Sequence, residues 1–96
     1  MMKVSDEVLA DFFKVFADSS RMKIINELLK MESSVMELAK KVNMTQTAVS
    51  YQLRILRESR IVKYRKESPM IFYSIDDEHI SEILELSKLH LEEKDE

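Results

Sequence analysis

The sequence predicts a mainly α-helical domain carrying one small β-hairpin, in the order α-α-α-α-β-β-α. Three observations predict it. Apolar residues recur at helical spacing in separate stretches of the 96-residue chain. A Ser, Thr or Asp stands at the head of each such stretch, where a helix needs an acceptor for its first free N–H groups. Residues 61–66 and 70–75 are instead rich in β-branched and aromatic side chains, and the only proline lies between them. The length fits one domain, residues 1–96.

The elements follow in chain order. Residues 5–16 form a first helix, capped by Ser5, with Val8, Leu9, Phe12, Phe13 and Phe16 at helical spacing. Asp18-Ser19-Ser20 heads a second helix, with Met22, Ile24, Ile25, Leu28 and Leu29 apolar, ending near Met31-Glu32. Ser34-Val35-Met36-Glu37 is a capping box, Ser at the cap and Glu three residues on, and opens a short helix from Val35 to Val42. Asn43 suits a left-handed turn, because its short polar side chain tolerates positive φ. Thr45 caps a fourth helix that runs to about Glu58. Glu67-Ser68-Pro69 turns the hairpin. Asp76-Asp77 starts a last helix that reaches an acidic tail near Glu93.

Composition excludes whole classes of function. With no cysteine there is no disulfide, thiolate nucleophile or sulfur-rich metal site. With no glycine there is no phosphate-cradling glycine loop. No apolar run approaches the ~20 residues of a membrane span, and the first residues carry no apolar secretion-signal core. The expected location is cytoplasmic. The net charge of −3 looks wrong for a nucleic-acid binder, but it is segregated. Residues 38–66 hold eight basic side chains and only Glu58 as acid, while residues 67–96 hold ten acidic and two basic. A polyanion responds to the local basic block, because charges beyond about 10 Å are screened by physiological salt.

The third and fourth helices, about residues 35–58, read as a helix-turn-helix, and the hairpin, about 61–75, as a wing. Val49, Leu53 and Leu56 line the inner face of the fourth helix. Thr47, Ser50, Tyr51 and Arg54 share the outer one, and Thr45 and Gln46 sit at its leading end. Hydroxyls, amide and guanidinium suit base edges and phosphates of double-stranded operator DNA. Lys63, Arg65 and Lys66 place cations on the wing. The candidate DNA contacts are therefore Thr45, Gln46, Thr47, Ser50, Tyr51, Arg54, Lys63, Arg65 and Lys66.

Four runs carry a specific resemblance. Ala17-Asp18-Ser19-Ser20-Arg21-Met22-Lys23-Ile24-Ile25 is similar to the second-helix signature of the ArsR/SmtB family of metal-sensing repressors. Met44-Thr45-Gln46-Thr47-Ala48-Val49-Ser50-Tyr51-Gln52-Leu53-Arg54 resembles that family's recognition helix, and Val62–Lys66 with Phe72–His79 its wing and last helix. The resemblance implies a homodimeric winged-helix repressor and sets the sign of its response: metal releases the operator. Three positions depart from the pattern. Tyr51 stands where many members have His, Ser68-Pro69 replaces Gly-Arg at the wing tip, and Ser34 falls where thiolate-using members have Cys.

Both histidines, His79 and His90, lie in the last helix, about residues 77–93. Eleven residues leave them on one face but ~16 Å apart along the axis, too far for one ion with ~2 Å bonds. Two such helices packed antiparallel about a two-fold axis would bring the front of one to the rear of the other. Glu93 shares a face with His90, and Asp77 converges with His79 if its backbone is still extended. The expected metal site is Asp77 and His79 of one chain with His90 and Glu93 of the other, a donor set suited to Zn(II), with Co(II) as a mimic and Ni(II) as a variant. The same four positions match the family's last-helix zinc site. Ile80, Ile83, Leu84 and Leu91 are the expected packing residues of the dimer seam. A link from His90 to a backbone carbonyl near Arg60, where the recognition helix meets the wing, is the expected route from metal to DNA, as the resemblance to zinc-sensing members of the family implies.

The alternative is a winged-helix regulator that senses no metal. An enzyme is not expected: four protein ligands in a helix seam leave no open coordination position and no pocket, and no organic substrate is implied. A protein-interaction module built on the acidic last helix would leave the basic block unexplained.

Overall fold

The structure is a computed structural model. It describes residues 3–93, so Met1, Met2 and tail residues 94–96 lie outside the described residues. Its helices are α1 (Asp6–Phe16), α2 (Ser19–Lys30), α3 (Val35–Val42), α4 (Gln46–Glu58) and α5 (Glu78–Glu92). Its strands are β1 (Ser33–Ser34), β2 (Val62–Glu67) and β3 (Met70–Ile75).

Every helix starts where its capping residue stands. Ser5 accepts from the Val8 N–H at 3.2 Å, Asp18 from Arg21 at 3.0 Å and Thr45 from Ala48 at 3.0 Å. The Ser34–Glu37 box closes in both directions, at 3.2 and 2.8 Å. Each such cap is worth about 1 kcal/mol. Asn43 adopts φ 57° and ψ 50°, and the Met44 N–H reaches back to the Ala39 carbonyl, which ends α3 in a Schellman turn.

Two features go beyond the sequence reading. The first is β1, which pairs Ser33 with Tyr73 and Ser34 with Phe72 and makes the hairpin a three-stranded sheet, ordered β1-β3-β2. Two residues are too few to show alternation, so no local pattern announces this strand. The second is Arg60, at φ 61°. The Ile61 N–H bonds to Leu56 O and the Arg60 N–H to Arg57 O, so α4 also ends in a Schellman turn, with arginine at the position glycine usually takes.

The core lies between α2, α3, α4 and the inner face of the sheet. Ile24, Ile25, Leu38, Val49, Leu53 and Leu56 are fully buried. Each contributes about 1.5–3 kcal/mol relative to an exposed position. On β2 the pleat places Val62 and Tyr64 toward this side and Lys63 and Arg65 on the other. The radius of gyration, 14.4 Å, exceeds the ~12.5 Å of a compact chain of this length. The excess fits α5, whose residues 85–92 are all exposed.

That helix corrects one expectation. Ile80 and Leu84, assigned above to the seam between subunits, are 5% and 6% exposed inside their own chain. The first turns of α5 meet β3, and this contact takes up their apolar face. The apolar side chains left exposed on α5 are Leu86, Leu89 and Leu91, and those on α1 are Val8, Leu9 and Phe13.

Candidate DNA-reading face and metal centre

The turn Asn43-Met44-Thr45 directs α4 outward while Val49, Leu53 and Leu56 fix its inner face. Thr45, Gln46, Thr47, Ser50, Tyr51 and Arg54 are all exposed, as an interface with a ligand outside the chain needs. The Thr45 hydroxyl accepts the Ala48 N–H and keeps its own O–H as a donor. Gln52, next to this stripe, turns inward: its Oε1 accepts from Arg21 Nη1 at 3.0 Å, and Arg21 Nε donates to the Val15 carbonyl at 2.8 Å. One guanidinium from α2 thus holds the end of α1 and sets the rotation of α4. Spacing along α4 reveals its faces but not this partner, which lies 31 residues away.

The wing is braced to α4 and to β1 by different residues. The Arg57 guanidinium lies 4.9 Å from the Tyr64 ring centroid, and Tyr64 packs on Tyr73 at 5.9 Å. On the other face Arg65 donates to both oxygens of Glu32, Nε at 2.9 Å and Nη2 at 3.0 Å, and through Nη1 to Glu67 at 3.1 Å. It also stacks over Phe72 at 4.9 Å. Arg65 holds the Glu32 carboxyl below its ordinary 4.5, and the two carboxylates push the guanidinium further up. Lys63 and Lys66 are exposed, and no ion pair holds either among the described residues. Arg57 and Glu32 had no signal in the sequence, since both roles depend on sheet register.

Of the four candidate metal ligands, the structure brings together one pair. Asp77 is extended, φ −157° and ψ 178°, so it and His79 point the same way despite their i, i+2 spacing. Asp77 Oδ1 accepts the His79 backbone N–H at 2.9 Å, and Oδ2 lies 3.4 Å from His79 Nδ1. Partial burial raises the Asp77 carboxyl pKa, but the His79 ring and the backbone N–H groups of His79 and Ile80 outweigh this, leaving it below its ordinary 3.8. His90 and Glu93 stand at the other end, and Glu93, with φ −69° and ψ −13°, continues the helical path and keeps the i, i+3 relation. No three metal-binding side chains converge within the chain among the described residues. No hydrogen bond joins His90 to Arg60 among them either, and His90 is exposed. No helix among the described residues is long and apolar enough to cross a membrane.

Residues 18–64, from the cap of α2 into β2, match the model of the bacterial regulatory protein, arsR family. The match stops before α5 and all four candidate ligands. The chain is 39% identical over 87 residues to the transcriptional repressor SmtB homolog of Synechocystis, covering 91% of this chain and 66% of that protein. It is 37% identical over 86 residues to the cadmium resistance transcriptional regulatory protein CadC homolog of Staphylococcus aureus, covering 88% and 71%. Its structure superposes with a TM-score of 0.86 on the homodimeric winged helix-turn-helix DNA-binding domain Mb0332 of Mycobacterium bovis, at 25% identity over 98% of this chain and 93% of that one.

Proposed function

Because the chain belongs to the arsR family of bacterial regulatory proteins, which are DNA-binding regulators and not enzymes, we propose that it is a dimeric repressor released from operator DNA by Zn(II). In this reading α4 enters the major groove through Thr45, Gln46, Thr47, Ser50, Tyr51 and Arg54, and Lys63 and Lys66 meet phosphates. The exposed apolar faces of α1 and α5 pack against those of a second copy.

The observation that carries the metal reading is the extended Asp77, which sets its carboxylate 3.4 Å from the His79 ring. These residues fit zinc: Asp77 and His79 are a paired carboxylate and imidazole, both exposed, and His90 with Glu93 offers a second pair. Asp77 and His79 of one subunit with His90 and Glu93 of the other would hold the ion. A bound Zn(II) supplies a closed four-coordinate clamp across the seam. The two reading heads must span half-sites about 34 Å apart, so a seam clamped at a different angle lowers operator affinity. Linkage then requires operator DNA to weaken zinc binding by the same factor.

A second reading is favoured by one observation. Asp77 already serves as the N-cap of α5, a sufficient reason for its presence. In that case the dimer reads DNA without sensing metal. The deciding experiment is a titration of promoter DNA with the protein, with and without zinc at fixed salt, beside equilibrium dialysis of zinc. Sensing requires one ion per chain, loss of that ion in His79→Ala and in His90→Ala, and weaker DNA binding by the zinc-loaded protein only where the ion is retained. Unchanged DNA affinity with zinc bound would remove the regulatory half of the proposal.

A further inference from the structure

We propose that Arg65 is a positioning residue that anchors the wing to the β1 corner through Glu32, and does not itself contact phosphate. The inference rests on the reading of this face as the DNA interface and refines it.

Three of the guanidinium's nitrogens are committed within the chain. Nε and Nη2 fork onto the two oxygens of Glu32, Nη1 reaches Glu67, and the plane lies over Phe72. Register explains the cluster. Arg65 stands directly across from Phe72, and Phe72 across from Ser34, two residues beyond Glu32. The side chain therefore ties the outer strand β2 across β3 to the end of α2. Charge points the same way. Arg65 and Lys63, on one face of β2, balance Glu32 and Glu67, and releasing Arg65 to a phosphate would leave one cation facing two carboxylates beside a polyanion. Lys66 lies on the opposite face of the strand, with Tyr64 and thus with Arg57 of α4, and no carboxylate holds it among the described residues. An arginine fork also suits a paired carboxylate in a way that lysine cannot reproduce.

The test is the salt dependence of binding to a fluorescein-labelled duplex of mixed sequence, three helical turns long, between about 50 and 200 mM salt. Removing one cation that neutralises a phosphate lowers the slope of log affinity against log salt by about 0.9. Lys66→Gln is expected to lower the slope by that amount. Arg65→Gln and Glu32→Gln are expected to leave the slope unchanged while weakening binding up to about fivefold at every salt concentration, the size of an exposed bidentate pair. Arg65→Lys is expected to behave like Arg65→Gln, since the charge remains but the fork is gone. A fall in slope of about 0.9 in Arg65→Gln that Arg65→Lys restores would make Arg65 a phosphate ligand and overturn the proposal. Tighter binding with a steeper slope in Glu32→Gln would overturn it also, showing a latent phosphate interaction held in check. If Lys66→Gln and Lys63→Gln both leave the slope unchanged, the wing does not lie on phosphates, and the wing half of the DNA-face reading falls together with this refinement of it.

Discussion

Helices α4 and α5 are both amphipathic, yet only one completes its packing inside the chain. The inner residues of α4, Val49, Leu53 and Leu56, are fully buried. On α5 Ile80 and Leu84 are buried, but Leu86, Leu89 and Leu91 are 67%, 52% and 67% exposed. In the proposed function α4 reads DNA and must be rigid before it does so, which fits supports drawn from its own chain. The rear half of α5 carries apolar and ligand-type side chains that nothing among the described residues covers. The contrast divides the molecule into a finished end at α4, the DNA face of the proposed function, and an unfinished end at α5, its proposed seam.

Substitutions on the two helices test this division. The largest effect is expected at the finished end. Leu53→Ala should lower the unfolding free energy by about 3 kcal/mol in urea titrations, equally at all protein concentrations. Arg21→Met should cost about 2 kcal/mol, because it strips charged donors from Gln52 and from the Val15 carbonyl. It should also weaken DNA binding even though Arg21 faces inward. On the unfinished end, Leu89→Glu should leave the circular dichroism of the single chain intact and weaken self-association about 30-fold in sedimentation equilibrium. If Leu89→Glu instead unfolded the chain at high dilution, α5 would belong to the core and the division would fail.

Two smaller effects sharpen it. Arg60→Gly should raise stability by about 0.5–1 kcal/mol, since glycine removes the steric cost of φ 61° at the end of α4. The smallest concerns Asp77. Its carboxyl lies below its ordinary 3.8, so its capping contribution is fully present above that pH and disappears as pH falls below it. Asn caps as well as Asp but does not titrate there. The urea midpoints of wild type and Asp77→Asn should therefore keep a constant difference above about pH 5 and change relative to each other only in the acid limb.

Much of the molecule is legible residue by residue. Ser5, Asp18, Ser34, Thr45 and Asp77 announce their helices because a cap is a contact of two or three residues' span. The exposed stripe of α4 follows from helical spacing, and the hairpin from its β-branched and aromatic runs. The pairing of Asp77 with His79 follows from the extended backbone a capping residue requires, and the structure has that backbone. What escapes a sequence reading is long-range. Strand β1, Arg21 with Gln52 and Arg65 with Glu32 all join residues distant in sequence, and Arg57 meets Tyr64 only through the turn that ends α4. The reassignment of Ile80 and Leu84 belongs here too. Apolar spacing reveals that a helix has a sticky side, but one chain's core and a second chain's surface have the same chemistry.

The order of elements, their caps and the clustering of basic charge were decided by the sequence itself, because each arises from neighbours a few bonds apart. Which cations stay available, which leucines remain uncovered and how the wing is braced were decided only on folding. Those outcomes depend on the sheet register and helix crossings that bring distant residues within hydrogen-bond reach.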